Sequence, residues 1–182
     1  MHKWLAKRMS DEALMVAYAK GNIKAFEVLY LRHKGKLHAF LRRQCDNQSI
    51  AEELTHDAWL GVINQADVYL ADAKFTTWLY RIAHNRLIDY WRKHGSPARL
   101  LTQELNEQIS TGVDNATSDA ILRDLLNSLE ELPVEQIEAV LLKIEGFSLS
   151  EIAEITQTKH ETVKSRLRYA TQRLRGSMEL YA

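Results

Sequence analysis

Only two prolines, Pro97 and Pro133, interrupt the 182 residues. Proline lacks the N–H that a helix interior needs, so its scarcity removes the strongest obstacle to helix formation. Seven glycines add few further breaks, and Ala, Leu, Glu, Lys and Arg fill long stretches between them. A chain of this kind is expected to be all-α. The 46% hydrophobic fraction is enough to build cores, and the length allows one ordinary domain or two small ones.

The punctuation then divides the chain. Ser10 to Lys20 reads as a short helix closed by Gly21, whose missing Cβ suits a left-handed cap. Asn22 can cap a longer helix, in which Phe26, Leu29, Tyr30, Leu37 and Leu41 recur at three- and four-residue steps. Ser49 and Glu52 have the spacing of a capping box for a third helix to about Gln65. A loop at Tyr69–Lys74 leads to a helix from about Thr76 to Lys93, stopped by Gly95-Ser96-Pro97. From Ser96 to about Ser118 the periodicity fades, which predicts a tether with a short helix near Leu100–Ile109.

A second domain is expected from Ser118. Its first helix stops at Leu132-Pro133, and the next runs from Val134 to Glu145 and closes at Gly146. Two short helices follow, each with the signature of a capping box, Ser148 with Glu151 and Thr158 with Glu161. Thr156-Gln157 make the tight connection. Two short helices with a basic second member form the pattern of a helix-turn-helix, with Ile152, Ala153, Val163 and Leu167 as its small core. The fold expected is two small helical domains, 1–95 and 118–182, joined by a flexible acidic linker at 96–117, the second a four-helix domain.

The formal net charge is zero, but the charges are segregated. Residues 1–95 carry fifteen Lys/Arg against ten Asp/Glu, residues 96–132 two against seven, and the last fifty seven against seven. Between 159 and 175, Lys159, Lys164, Arg166, Arg168, Arg173 and Arg175 face only Glu161. Two basic zones separated by an acidic connector predict modest, local phosphate contacts and weak DNA binding by the isolated chain.

Three constellations carry chemistry. Lys164, Ser165 and Arg168 on the second short helix, with His160 and Glu161 near its start, suit a helix that enters the major groove; a basic solvated hairpin is the plainer alternative. In the helix from Phe75, the residues Phe75, Leu79, Ile82 and Leu87 fit a buried stripe. Around them Trp78, Tyr80, Tyr90 and Trp91 interleave with Arg81, Arg86, Arg92 and Lys93. Aromatics beside cations can stack unpaired bases while holding the backbone, or can simply be core rings beside wet cations. In the third helix Glu53 and Asp57 lie four apart on one face and repel by a few tenths of a kcal/mol. A basic partner surface would relieve that, or solvent does.

Other functions lack their signatures. There is no Gly-rich phosphate loop and no HExxH pair, and His33, His38, His56, His84 and His94 have no metal-ligand spacing. No catalytic residue, metal or cofactor is expected. Cys45 is alone, which excludes an internal disulfide and fits a reducing cytoplasm. No apolar run is long enough to span a membrane, and no apolar run follows the charged start to make a signal peptide.

In order and spacing these constellations resemble the extracytoplasmic-function (ECF) sigma factors, the smallest RNA polymerase sigma subunits. The resemblance covers nearly everything from Asp11 to Arg175. Its most specific marks are FTTWLYRIAHNRLIDYWRK (75–93), ETVKSRLRYATQRLR (161–175) and FSLSEIAEI (147–155). It implies core polymerase docking by the AEELTHDAW segment (51–59) through Glu52, Glu53, His56 and Asp57. The loop Tyr69–Ala73 matches the family's base-pocketing specificity loop. Tyr69, Asp72, Trp78, Tyr80, Arg81, Asn85, Arg92 and Lys93 then fall at minus-10 DNA. His160, Glu161, Thr162, Lys164, Ser165, Arg166 and Arg168 fall at the minus-35 element. The partners implied are core RNA polymerase (the largest-subunit clamp, and the flap for the second domain), promoter DNA and an anti-sigma factor, with no small-molecule substrate.

Two positions depart from the family pattern. Glu161 stands where many members have Gly, and Thr156-Gln157 replace the usual Leu-Gly of the turn. Two other readings compete with the resemblance. A stand-alone helix-turn-helix regulator would bind an operator without polymerase, and a helical adaptor would leave the basic C-terminal helix unexplained.

Overall fold

A computed structural model describes residues 9–45, 47–94 and 131–179, with side chains of the last helix to residue 176. Among these residues there are seven α-helices and no strand. They are α1 (Asp11–Ala19), α2 (Ile23–Arg42), α3 (Gln48–Asn64), α4 (Phe75–His94), α5 (Val134–Ile144), α6 (Leu149–Ile155) and α7 (His160–Glu179). A single 3-10 turn, Ala66–Val68, follows α3. No described helix is long and apolar enough to cross a membrane. The tether at 96–117, its short helix and the helix expected from Ser118 lie outside the described residues. The helices form two compact units, Met1–Arg42 with Asn47–Asp89, and Arg43–Asp46 with Tyr90–Ala182, so the division falls within α4.

In the first unit, α1 begins where Ser10 Oγ accepts the Ala13 N–H at 3.2 Å. It ends at Gly21, whose φ of +91° only glycine adopts without strain. The acidic first turn of α1 does more than complement the helix dipole. Asp11 pairs with Arg32 at 2.6 Å and His33 at 2.7 Å on α2, and Glu12 accepts the Phe75 N–H at 3.1 Å, capping α4. The core is built from Leu14, Met15, Leu29, Leu37, Phe40, Leu41, Val62, Phe75, Leu79 and Leu87, with an aromatic cluster of Trp59, Tyr69, Phe75 and Trp78. Of the stripe expected on α2, Leu29, Leu37 and Leu41 are buried, whereas Tyr30 is 38% exposed. Gly61 lets α3 approach α4, because a Cβ there would stand 2.6 Å from Ile82 Cγ2.

One start signal differs from expectation. The cap of α3 is Asn47, whose side chain accepts the Ile50 N–H at 2.9 Å, and Ser49 lies inside the first turn. Glu52 instead takes a hydrogen bond from Gln48 Nε2 at 2.8 Å. Asn47 and Ser49 are both good capping types, and the chain uses the earlier one.

In the second unit, Leu132 is buried and Pro133 precedes α5, its carbonyl accepting the N–H groups of Gln136 and Ile137. Pro fits at a helix start, where the N–H it lacks would have no helical partner. Gly146 closes α5 with φ +96°. The Ser148–Glu151 capping box opens α6, with hydrogen bonds of 3.3 and 2.8 Å. α5, α6 and α7 pack around Ile137, Leu142, Phe147, Ile152, Ile155, Val163 and Ala170. Ala153 and Leu167, expected at the centre, are only half-buried, and Ile155 and Ala170 occupy that role. Trp91 Nε1 donates to the Gln44 carbonyl at 3.0 Å, beside the buried thiol of Cys45.

Candidate nucleic-acid interface

The turn between α6 and α7 is made by Thr156 and Gln157. Thr156 is buried and its hydroxyl donates to the Ile152 carbonyl at 2.8 Å, while Gln157 takes φ +52°. It is the only described residue other than glycine with positive φ. The capping box expected between Thr158 and Glu161 does not form. α7 begins at His160, the Thr158 hydroxyl lies 3.0 Å from that of Thr156, and Glu161 points to solvent. Lys159 adds a residue between the hydroxyl and the helix, which removes the register a box needs.

α7 buries Val163 and Ala170, with Leu167 and Leu174 half-buried on the same side. On a 3.6-residue period the opposite face carries Glu161, Ser165, Arg168 and Gln172 in one line. His160, Glu161, Lys164 and Arg168 are exposed, and Thr162, Ser165 and Arg166 are half-buried. Ser165 Oγ donates to the Thr162 carbonyl at 2.8 Å, leaving that hydroxyl free only as an acceptor. Arg168 lies over the Tyr169 ring, 5.0 Å from its centroid, and donates to its hydroxyl at 3.3 Å. Arg166 lies on the flank of the helix. Arg173, also on that side, pairs with Glu131.

On α4 burial decides between the two readings of its aromatic rings. Trp78, Tyr80, Tyr90 and Trp91 are not a surface platform: each is at most 8% exposed. Tyr80 packs on Phe40 at 5.0 Å and Trp78 on Tyr69 at 4.9 Å. Base stacking by Trp78 and Tyr80 needs an open ring face, so in this conformation they serve as core. The surface of α4 consists instead of Asn85, Arg86, Asp89, Arg92, Lys93 and His94, with Arg81 half-buried.

The loop before α4 behaves likewise. Tyr69 turns inward, and its hydroxyl donates to the Ala73 carbonyl at 2.9 Å, closing the loop on itself. Burial, then the carboxylates of Glu12, Asp11 and Asp72, push its pKa up to about 12. What the loop and the turn before it present to solvent is Asp67, Val68, Leu70, Ala71, Asp72 and Lys74. Val68 and Leu70, 68% and 70% exposed, were not singled out by the sequence reading.

On α3, Glu52, Glu53 and His56 are exposed and Asp57 half-buried. One to two turns further along the same helix, Leu60 and Ile63 are two exposed apolar residues that the sequence reading also missed. Their helical spacing carried the signal: Leu60 stands four after His56 and three after Asp57, away from Leu54, Ala58 and Val62. Beside this face a groove of about 450 Å³ runs between Tyr30, Lys34 and His38 of α2 and Glu52, His56 and Trp59 of α3.

Comparison with known proteins gives this geometry its context. Residues 29–96 match the model of Sigma-70 region 2, and residues 122–174 that of Sigma-70 region 4. The chain is 30% identical over 166 residues to the ECF RNA polymerase sigma factor SigM of Mycobacterium tuberculosis, spanning 91% of this chain and 83% of the relative. It is 29% identical over 170 residues to the RNA polymerase sigma factor CarQ of Myxococcus xanthus, spanning 91% and 98%. It is 26% identical over 175 residues to the ECF sigma-E factor of Escherichia coli K12, spanning 90% and 91%. The fold matches CnrH, solved with the cytosolic domain of CnrY, at a TM-score of 0.69 and 21% identity over 94% of this chain and 99% of that one. It also matches RpoE of Bartonella quintana, solved with the anti-sigma factor NepR, at a TM-score of 0.63 and 23% identity over 87% and 99%. A helix-turn-helix behind a region-2 helical unit, with relatives of one kind along almost the full length, makes this chain a member of the ECF RNA polymerase sigma factors.

Proposed function

We propose that this sigma factor docks on core RNA polymerase through the outer face of α3, with Glu52, Glu53, His56 and Asp57 followed along the helix by the exposed Leu60 and Ile63. The domains act as 1–95, a linker at 96–117, and 118–182. In the holoenzyme, the first reads and opens the minus-10 element through Arg81, Asn85, Arg92 and Lys93 of α4 and through the loop that carries Asp72. Trp78, Tyr80 and Tyr69 contribute by holding that surface in place. The second reads the minus-35 element through the outer line of α7, with His160, Thr162 and Arg166 at its margins, and meets the polymerase flap. Transcription starts where both elements are engaged, and this chain performs no covalent step. A protein inhibitor of the anti-sigma kind is a proposed further partner, by likeness to CnrH and RpoE, each solved with a protein partner.

The observation that carries the docking assignment is the pair Leu60 and Ile63, each 40% exposed on the helix that carries Glu52, Glu53 and Asp57. Exposed apolar side chains beside charged ones mark a contact surface, and the repulsion between Glu53 and Asp57 falls when a cationic partner arrives. The test is binding to sigma-free core polymerase. Wild type should bind tightly, and the Glu53→Arg/Asp57→Arg variant should lose about a hundredfold or more, since each charge then opposes its partner. Retained binding by the double variant overturns the assignment to α3. Failure of the wild type to bind core overturns polymerase docking altogether.

A further inference from the structure

Resting on the minus-35 reading above, we propose that Glu161 is a specificity-determining residue that selects a cytosine in that element. Glu161 is in the first turn of α7, its side chain is 80% exposed, and it caps nothing. Its carboxylate has two exposed neighbours, His160 Nδ1 at 3.7 Å and Lys164 Nζ at 4.0 Å. Both contacts are long, so the group is steered rather than held. By helical position it heads the outer line that continues through Ser165 and Arg168, where a recognition helix faces base edges.

The chemistry then restricts the base. A carboxylate only accepts hydrogen bonds. In the major groove guanine offers two acceptors, thymine an acceptor and a methyl, and adenine an amino donor beside the acceptor N7. Cytosine alone presents an amino donor without an acceptor next to it. Lys164, which only donates, suits the O6 and N7 of the paired or adjacent guanine. A phosphate-binding role is opposed by sign, since Glu161 is the one anion among the six cations of 159–175 and weakens backbone attraction. A carboxylate at this point lowers general affinity and raises base choice.

The experiment selects promoters from a library randomised across the minus-35 region, using holoenzyme assembled from core polymerase and the full chain. Wild type should favour C at one position by about tenfold. Glu161→Gln should move that preference to A, because an amide pairs with the N6 and N7 of adenine. Glu161→Ala should flatten that position alone, leaving minus-10 selection and the other minus-35 positions unchanged. Base preferences that stay the same in both variants, or that collapse at every position, overturn the proposal. If wild-type holoenzyme selects no promoter, the sigma reading fails, and the proposal with it.

Discussion

Helices α4 and α7 are each twenty residues long, and both mix cations with aromatic rings. α4 carries five Phe, Tyr and Trp rings and α7 only Tyr169, but in both a ring stands next to an arginine, and the surroundings make the two opposites. α4 buries Phe75, Thr77, Trp78, Leu79, Tyr80, Ile82, Ala83, His84, Leu87, Tyr90 and Trp91, so little of its circumference meets water. Of the described side chains of α7 only Val163 and Ala170 are buried, and Tyr169 is 52% exposed beneath Arg168. A ring next to a cation in sequence therefore carries no fixed meaning. Enclosed on most sides, it is core; on a helix with one packed face, it supports a cation at the surface.

The sharpest way to break this contrast is to cut into the enclosed helix. Phe75→Ala should lower stability by about 3–5 kcal/mol, and Tyr80→Ala by a similar amount, in urea unfolding. A loss under about 1 kcal/mol would mean that the α4 aromatics are not core. Next in size is a pair of glycine changes. Gly61→Ala should cost about 1–3 kcal/mol because Ile82 is β-branched and buried where the new methyl must go. Gly35→Ala, in α2 with nothing within 4 Å, should gain about 0.5–1 kcal/mol from helix propensity. Equal signs for the two would show that α3 and α4 do not approach closely at Gly61.

A smaller effect appears in alkali. Folding raises the Tyr69 pKa from about 10 to about 12, so the folded state holds this proton more tightly than the unfolded one. The associated stability is complete below pH 10 and is lost as pH climbs through the 10–12 window. Melting temperatures of wild type and Tyr69→Phe should therefore converge across that window; a constant offset would contradict the inward position of Tyr69. The smallest change in stability belongs to α7. Arg168→Ala should stay within about 0.5 kcal/mol of wild type while the salt slope of promoter binding falls by about one. If it destabilises as Tyr80→Ala does, α7 is not one-sided.

What could be read from residues alone follows the same division. Local signals were legible: the left-handed Gly21 and Gly146, the Ser148–Glu151 box and the helix start at Val134 after Pro133 all act within four residues of themselves. Ser49 was expected to cap α3 and Asn47 does so instead, because both are capping types and the helix start was decided by geometry that neither announces. The box at Thr158 failed by one residue of register. Glu12 capping Phe75 reaches across 63 positions, and no local pattern could reveal it. For the aromatics of α4 the sequence left stacking and core packing open for the same reason, since periodicity finds one buried stripe but not how many neighbours surround a helix. The outer faces of α3 and α7 were legible because each helix has a single packed side, although Leu60 and Ile63 on α3 were passed over.

The placement of the rings has a practical consequence for watching this molecule unfold. Besides Trp4, which lies outside the described residues, Trp59 and Trp78 lie in one buried cluster of the first unit, Trp91 near the end of α4 falls in the second, and residues 131–179 contain no tryptophan. Indole emission therefore follows the neighbourhood of α3 and α4, while far-ultraviolet dichroism counts turns of helix everywhere. Melting curves from the two signals will superimpose only when both units unfold together. Where they separate, a single midpoint describes neither unit.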